Sequence, residues 1–301
     1  MVSVPTVDLR TWRTDGSPAV VDRALRTAGF LLVSGHGIAP DLRAAVRAQA
    51  RVFFRLPEED KRPYAVEVGG RGWLGPGAEA NGYAEGTETP PDLKESLSFA
   101  AEGPGEDPSV GSEWFAPNTW PAEVPSLRPL VTAYLARMRR LSDGILELLG
   151  VALGEGETFF TRHTTRPTWG FNINWYPDLR TAGSPRPGQF RIGPHTDFGT
   201  VTVLDRQQGR GGLQLFTDED GWQNAPYDPD ALTVNIGDLM AFWTGGRWRS
   251  GRHRVLPPPV DEPAEELMSL VYFYECNPGT DVLGIDSHRY LREKLDAIRV
   301  R

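Results

Sequence analysis

The stretch GPHTDFGT, residues 193–200, decides the fold and points to the chemistry of this chain. It places His195 two residues before Asp197, at the end of a run with the composition of a β-strand. Residues i and i+2 of a strand point to the same face, so one imidazole and one carboxylate would reach a common point. A further histidine on that face would complete a three-ligand metal site.

His253 is the candidate for the third ligand. It lies 253 − 197 = 56 residues after Asp197, in the strand-like segment RSGRHRVLPPP. Two histidines and one carboxylate on one face form the set that binds Fe(II) in non-haem oxygenases. The other histidines, His36, His163 and His288, lie in a turn or at helix ends, where structural roles are common. Spacing alone leaves a surface His–Asp pair open as the alternative, because so short a motif also occurs by chance.

The pattern of short apolar runs predicts an α+β protein with a jelly-roll core. After Arg166 the chain consists of short strands separated by Gly, Asp and Pro, a pattern typical of a double-stranded β-helix of the cupin type. We therefore predict a single domain over residues 1–301. Its parts are a mostly helical and loop N-terminal part (1–165), the jelly roll with the metal site (166–280) and a C-terminal helix (281–301). The predicted strands of the jelly roll include TWGFNINWYP, GQFRIGPH, GTVTVLDRQ, GLQLF, ALTVNIG, LMAFWTG, HRVLPPP and LMSLVYFYE.

Composition narrows the possible partners to small molecules. A formal net charge of −8 disfavours nucleic acid. No apolar run approaches the roughly 18 residues that would span a membrane, and the N-terminal residues carry no export-signal pattern. Cys276 is the single cysteine, which fits a reducing cytoplasm. The sequence gives no indication of an oligomeric state.

Several long stretches together resemble the isopenicillin N synthase-like family of Fe(II)-dependent oxygenases, most of which use 2-oxoglutarate. The similar stretches are VPTVDL, AGFLLVSGHGI, FFRLPEEDKRPY, GPHTDFGTVTVL, GGLQLF and VNIGDLMAFWTGGRWRSGRHRV. The resemblance implies that His195, Asp197 and His253 bind Fe(II), with 2-oxoglutarate and O2 as cosubstrates. It further implies oxidation of a small molecule, by hydroxylation, desaturation or cyclisation, in secondary metabolism such as antibiotic biosynthesis.

The 2-oxoglutarate site departs from the family pattern at one position. In the family an Arg-x-Ser motif binds the distal carboxylate; here Ser269 matches the serine, but Leu267 stands where arginine is expected. The segment NINWYP keeps Asn174 and Tyr176 of the corresponding motif, with Asn172 in place of an arginine. A buried carboxylate needs a cationic partner, and arginine suits it best.

Arg191 is the first candidate for that cation. It lies four residues before His195 and shares its face if the strand is regular. Arg252 and Arg254 flank His253 and should face away, whereas Arg247 and Arg249 lie in a turn where alternation gives no guidance. The alternative is that 2-oxoglutarate is not used, as in isopenicillin N synthase itself.

The loop RGWLGPGAEANGY and the strand TWGFNINWY are expected to border the substrate cavity. The candidate substrate contacts are Trp73, Tyr83, Phe171 and Asn172, each of which could equally be a structural residue. Two rival functions remain beside the oxidase or cyclase. One is a metal-free cupin-like binding protein, and the other is a zinc hydrolase with the same three ligands.

Overall fold

Two β-sheets and a layer of helices make up the computed structural model, which describes residues 4–86, 89–103 and 112–300. The helices are α1 (Ser17–Thr27), α2 (Pro40–Phe54), α3 (Glu58–Lys61), α4 (Leu127–Leu153), α5 (Thr158–Thr161), α6 (Leu179–Ala182), α7 (Asp238–Trp243) and α8 (Ser287–Ala297). The strands are β1 (Thr6–Asp8), β2 (Phe30–Ser34), β3 (Trp73–Leu74), β4 (Glu95–Ala100), β5 (Trp169–Tyr176), β6 (Ile192–His195), β7 (Val201–Asp205), β8 (Gly212–Thr217), β9 (Gly221–Asn224), β10 (Leu232–Ile236), β11 (His253–Leu256), β12 (Leu267–Tyr274), β13 (Asp281–Val282) and β14 (Ile285–Asp286).

The two sheets form the predicted jelly roll. The larger sheet has the order β1-β2-β10-β7-β12-β5-β4-β3, and the smaller sheet has the order β6-β11-β8-β9. The strands after Arg166 that make up the jelly roll pair antiparallel with one another. The prediction of a double-stranded β-helix with a helical N-terminal half and a C-terminal helix is therefore confirmed.

The N-terminal part contributes more strand than its sequence suggested. β2 pairs with β10, and β4 pairs with β5 along its whole length, from Glu95 opposite Trp175 to Ala100 opposite Gly170. The N-terminal part was expected to consist mostly of helix and loop, and β3 and β4 within it were not predicted. β4 carries Ser96 and Ser98 on one face, so its alternation of serine and apolar residues marks an inward polar face rather than a loop.

One predicted strand is a helix. The segment LMAFWTG was expected to be a strand, but it forms α7. A short apolar run does not distinguish a buried strand from a buried helix by periodicity alone. α7 starts at Asp238, whose backbone N–H donates to the Asp197 carbonyl over 2.8 Å, so this helix fixes the backbone at the candidate metal site.

β5 separates the hydrophobic core from the interior of the jelly roll. Its odd-numbered residues face the helices: Phe171 packs on Tyr134 of α4, and Trp175 stacks on Phe54 of α2, with ring centroids 5.5 Å apart in both pairs. Its even-numbered residues, among them Asn172 and Asn174, face the interior, as the period of two in a strand requires. The long helix α4 covers the outer face of the larger sheet through its buried apolar stripe. No helix in the described part of the chain is both long enough and apolar enough to cross a bilayer.

A buried ion cluster ties α2 to β7. Asp205 is fully buried and accepts hydrogen bonds from Arg43, at 2.7 and 2.9 Å, and from Arg47, at 2.5 Å. Burial alone would raise the pKa of Asp205, but the two guanidinium groups outweigh this effect and lower it. Asp205 therefore stays ionised and holds a helix of the N-terminal half on the jelly roll.

We predict that Asp205→Asn lowers the free energy of unfolding by about 3–5 kcal/mol, because it leaves two buried cations without their anion. Because the pKa of Asp205 is lower in the folded than in the unfolded state, its stabilisation is complete above about pH 4 and is lost as the pH falls further. Urea unfolding at pH 7 measures the effect. The matched control is Asp218→Asn, since the Asp218 side chain is 71% exposed and pairs with Arg249 on the surface. Equal losses in the two variants would contradict the prediction.

Candidate metal centre and adjoining cavity

The pairing of β6 with β11 brings the three predicted metal ligands together. His253 at the start of β11 lies opposite His195 at the end of β6, and Asp197 follows two residues later. The Asp197 Oδ1 atom lies 3.6 Å from His195 Nε2 and 3.9 Å from His253 Nε2. The three side chains are buried, and each offers a ligand atom within 4.8 Å of the others. The arrangement leaves one shared point that all three groups can reach.

The imidazole rings are oriented by their own strands. His195 Nδ1 donates to the Gly193 carbonyl, and His253 Nδ1 donates to the Gly251 carbonyl, both over 2.8 Å. With Nδ1 engaged, the lone pair of each Nε2 faces the shared point, which is the orientation that metal-binding histidines need. Burial, and then the charge of His195, lowers the pKa of His253 to about 4, so His253 is a neutral imidazole at neutral pH.

The neighbouring polar side chains keep Asp197 ionised and fix its orientation. Its Oδ2 atom accepts a hydrogen bond from Asn235 Nδ2 of β10 over 2.6 Å, which leaves Oδ1 directed at the histidines. Burial opposes ionisation, but the two imidazoles outweigh it and keep the pKa of Asp197 well below its ordinary value. One carboxylate and two imidazoles on one face form a donor set that fits Fe(II) with open positions opposite.

Gly199, the glycine of the HTDFG motif, lies where a side chain would not fit. A Cβ atom at this position would overlap the Glu275 carboxylate, whose Oε2 atom accepts the Thr200 N–H over 2.8 Å. Glu275 is buried, and desolvation raises its pKa to about 8. Because Gly199 has no side chain, the backbone between β6 and β7 can pass close to Glu275. This path carries the chain from His195, through Asp197, into β7.

A cavity of about 530 Å³ extends from the metal ligands into the jelly roll and towards α8. Inward-facing side chains of the two sheets line it, with polar groups of β4 and β5 on one side and apolar groups of β7, β8 and β12 on the other. The lining includes Lys94, Ser98, Asn172, Asn174, Tyr176, Leu204, Arg206, Leu213, Val255, Leu267, Ser269, Val271 and Phe273.

Asn174, Tyr176 and Ser269, predicted for 2-oxoglutarate, lie together on this lining. Ser269 of β12 pairs with Asn174 of β5 in the sheet, and its hydroxyl donates to Tyr176 Oη over 3.2 Å. Asn174 Oδ1 accepts a hydrogen bond from Ser96 Oγ over 2.8 Å. Leu267 lies opposite Tyr176 in the same pairing, so the expected arginine position is an apolar part of the cavity wall.

Arg191, the residue before β6, is fully buried, but it does not line the cavity. Its Nη1 atom donates to Glu265 Oε1 over 2.6 Å and its Nη2 atom to the Glu265 carbonyl over 3.1 Å. The guanidinium carbon lies 5.4 Å from the centre of the Tyr176 ring, and the buried Nε has no hydrogen-bond partner among the described residues. Arg191 therefore lies beside the predicted cosubstrate residues with its charge already balanced by Glu265.

The other candidate arginines point elsewhere. Arg252 pairs with Glu85, and Arg254 donates to Gln214, as expected for residues that flank an inward histidine. The two turn residues bind carboxylates outside the cavity: Arg247 binds Asp22, and Arg249 binds Asp218. None of these four guanidinium groups faces the cavity.

Of the four predicted substrate contacts, the structure places one on the cavity wall. Asn172 lines the cavity. Phe171 and Trp73 do not: Phe171 packs in the core against α4, and the Trp73 indole donates to Glu95 Oε2 over 2.8 Å within the core. Tyr83 is likewise absent from the cavity wall. Phe171 and Asn172 are neighbours in a strand, so only one of them can face inward, a constraint that the sequence reading overlooked.

Sequence reasoning also missed charged residues of the cavity wall. Lys94, the residue before β4, pairs with Glu79 and donates to Ser96 Oγ over 2.9 Å. Arg206 and Glu275 lie on other parts of the wall. The alternation in KESLSFA places Lys94, Ser96 and Ser98 on one face and could have identified them.

Two family models match the chain. Residues 4–123 match the N-terminal region of non-haem dioxygenases in morphine synthesis, and residues 171–276 match the 2OG-Fe(II) oxygenase superfamily. Validamycin A dioxygenase of Streptomyces hygroscopicus subsp. limoneus is 43% identical over 290 residues, which cover 94% of this chain and 80% of that protein. The 2-oxoglutarate-dependent dioxygenase tropC of Talaromyces stipitatus is 32% identical over 300 residues, covering 94% of this chain and 89% of that protein.

Two solved structures are similar in fold to this chain over nearly its whole length. A full-length Neurospora crassa protein, crystallised in complex with α-ketoglutarate and thymine, matches with a TM-score of 0.81 and 25% identity, covering 98% of this chain and 96% of that one. A 2OG-Fe(II) oxygenase family protein from Caulobacter crescentus has a TM-score of 0.83 at 22% identity, covering 98% and 99%. At that identity the second match concerns the fold alone.

We predict that Asn235→Ala weakens binding of a divalent metal about 10–100-fold, because Asp197 loses the hydrogen bond that orients it. Anaerobic calorimetric titration of the metal-free protein with Fe(II) measures the affinity. Asn224→Ala, on β9, is the control and should leave the affinity unchanged, since the Asn224 side chain accepts a hydrogen bond from Gln214 away from the metal ligands. An unaltered affinity in the Asn235 variant would show that this hydrogen bond does not orient the ligand.

Proposed function

The chain belongs to the 2OG-Fe(II) oxygenase superfamily, and on this premise we propose that His195, Asp197 and His253 hold its Fe(II). It is a 2-oxoglutarate-dependent Fe(II) dioxygenase of secondary metabolism, as its relatives are. This membership favours the use of 2-oxoglutarate over the oxidase or cyclase that needs none. It equally disfavours the metal-free binding protein and the zinc hydrolase.

The observation that carries the assignment of ligands is the convergence of two histidine Nε2 atoms and Asp197 Oδ1 on one buried point. When bound there, Fe(II) would activate O2 with the electrons of 2-oxoglutarate, which is converted to succinate and CO2 while the substrate is oxidised. The protein holds the ligand atoms in place through the Gly193 and Gly251 carbonyls and Asn235. The burial of the three ligands limits the access of bulk water to the reacting groups.

We propose that 2-oxoglutarate lies along β5 and β12, between Asn174, Tyr176 and Ser269. These three residues supply an amide and two hydroxyls on one wall of the cavity, next to the metal ligands. Arg191 lies behind Tyr176, and its Nε–H is available as a further hydrogen-bond donor to this site among the described residues. Glu265 balances the charge of Arg191. The hydroxyls suit a carboxylate because hydrogen bonds to charged groups are stronger than those between neutral groups.

The substrate is proposed to be a small secondary metabolite with polar groups. The relative with 43% identity is named for validamycin A. In this chain Asn172 and the Lys94–Glu79 pair present hydrogen-bond donors and acceptors to the cavity. Covering these polar groups with a purely apolar substrate would be costly, because they would lose their hydrogen bonds to water. We further propose that residues 1–301 act as one oxygenase domain. The net charge of −8 and the single buried Cys276 support work on small molecules in the cytoplasm.

We predict that Asp197→Ala abolishes Fe(II) binding and 2-oxoglutarate turnover, because two neutral imidazoles alone cannot hold the cation. Anaerobic calorimetry would measure metal binding, and succinate formation would measure turnover. The circular dichroism spectrum should remain that of the parent, since the substitution removes no apolar packing. The control Asp218→Ala should keep both activities. Full turnover in the Asp197 variant would reject this residue as a ligand.

We predict that Tyr176→Phe or Ser269→Ala weakens 2-oxoglutarate binding about tenfold or more, because each removes a hydroxyl from the carboxylate site. The affinity is obtained by titrating 2-oxoglutarate into the anaerobic Fe(II) protein and following the visible charge-transfer band of the chelate. Tyr64→Phe is the matched control, since its hydroxyl bonds Glu123 outside the cavity. If both variants bind as the parent does, the cosubstrate lies elsewhere.

A further inference from the structure

We propose that Arg206 supplies the positive charge that binds the distal carboxylate of 2-oxoglutarate. This inference rests on the proposed function, since it concerns the cosubstrate of the same site. It answers a question that Leu267 raises: an apolar side chain stands where a carboxylate-binding cation was expected.

Most of the charged side chains on the cavity wall are already paired. Lys94 pairs with Glu79, and Arg191, which lies behind the wall, pairs with Glu265. Two ion pairs lie near α8. Arg292 of α8 pairs with Glu113, and Arg299, just after α8, pairs with Glu67. These cations already have an anion and would have to give it up to bind a carboxylate of the cosubstrate.

Two lining cations have no carboxylate within ion-pairing distance among the described residues, Arg71 and Arg206. Arg71 donates to the Glu113 and Trp114 carbonyls, and although burial lowers its pKa, the nearby charge of Glu102 opposes that effect. It lies with Trp114, at the side of the cavity that faces α8. Arg71 is therefore partly balanced and lies on the α8 side of the cavity.

Arg206 is surrounded by neutral groups. Its Nη2 atom donates to the carbonyls of Ala225 and Pro226, its Nε lies 3.5 Å from Thr233 Oγ1, and its guanidinium carbon lies 5.1 Å from the centre of the Tyr227 ring. Burial lowers its pKa, with no carboxylate to offset the effect. A cation in such a setting is costly unless an anion joins it. The cavity is the route by which that anion can arrive.

Strand geometry places Arg206 at the correct end of the cavity. The pairing of Leu270 with Asp205 puts Arg206 beside Ser269, one of the two proposed hydroxyl donors. Thr202 and Leu204 of β7 and Arg206, the residue after it, all line the cavity, and Thr202 adjoins Asp197. Four residues of strand span about 13 Å. A five-carbon diacid held at the metal and an arginine side chain reaching towards it can together bridge that distance.

The segment after β7 packs directly against the position of the missing arginine. Met268 N–H donates to Gln207 Oε1 over 2.8 Å, and a Cβ at Gly209 would overlap Leu267. Arg206 therefore approaches from β7 the same end of the cavity that a cation at residue 267 would approach from β12. One charge at this end is enough to balance one carboxylate.

The test is Arg206→Gln, with cosubstrate binding as the readout. In the anaerobic Fe(II) protein, 2-oxoglutarate and 2-oxopentanoate, which has the same chain length but no distal carboxylate, are each titrated by the visible band. We expect the affinity for 2-oxoglutarate to fall at least tenfold and that for 2-oxopentanoate to stay within twofold. Fe(II) affinity should be unchanged. Arg210→Gln, an exposed residue of the same segment, is the control and should bind both acids as the parent does.

Adding Leu267→Arg to Arg206→Gln should restore the preference for 2-oxoglutarate, since it returns a cation to the same end of the cavity. Arg206→Lys, which keeps the charge, covers the case in which the glutamine variant fails to fold, and it should retain most of the preference. The proposal would be overturned if Arg206→Gln kept the preference for 2-oxoglutarate over 2-oxopentanoate. It would also be overturned if Arg206→Lys lost this preference as completely as Arg206→Gln does. Absence of any band in the parent with Fe(II) bound would instead overturn the proposed use of 2-oxoglutarate at this site.

Discussion

The antiparallel pairing of β6 with β11 is the constraint on which the rest of the site depends. It sets His253 opposite His195, although 253 − 195 = 58 residues separate them in the chain. Both rings then take their orientation from carbonyls of their own strands, two residues earlier. A slip of one residue in this pairing would turn a histidine to the outer face and leave no metal site. Correct register and a correct metal site are therefore the same structural requirement.

The alternation of β5 divides the chemistry from the hydrophobic core. Phe171 and Trp175 pack on α4 and α2, while the even-numbered side chains face the cavity. This division explains how a strand can be rich in aromatic residues and still present amides and a hydroxyl to a ligand. It also ties function to stability, because the helices that bury Phe171 and Trp175 hold the strand that presents Asn174 and Tyr176.

The candidate metal triad could be predicted from the sequence because its signal is local. Two of the residues are two positions apart, and the third stands in a recognisable strand, so periodicity identified the candidates and the family resemblance singled out a metal site over a surface His–Asp pair. The helix α7 and the strand β4 were missed, since a short apolar run fits either element and a serine-rich strand reads as a loop. Strand alternation placed Arg191 on the face of His195, but it could not reveal Glu265, which is 74 residues away and balances its charge. Pairing between distant side chains follows from the tertiary structure and has no local signature.

The buried charge of Arg206 is poorly balanced within the described residues, and it lies where a ligand of opposite charge is needed. Arg206 is a cation whose nearest hydrogen-bond acceptors are backbone carbonyls. This arrangement costs stability in the free protein, because a charge in a medium of low dielectric constant requires a partner. A dicarboxylate reaching towards Arg206 would relieve this cost, and binding would then stabilise the folded state as well. Unfavourable local electrostatics in the free protein thereby become part of the affinity and selectivity for the cosubstrate.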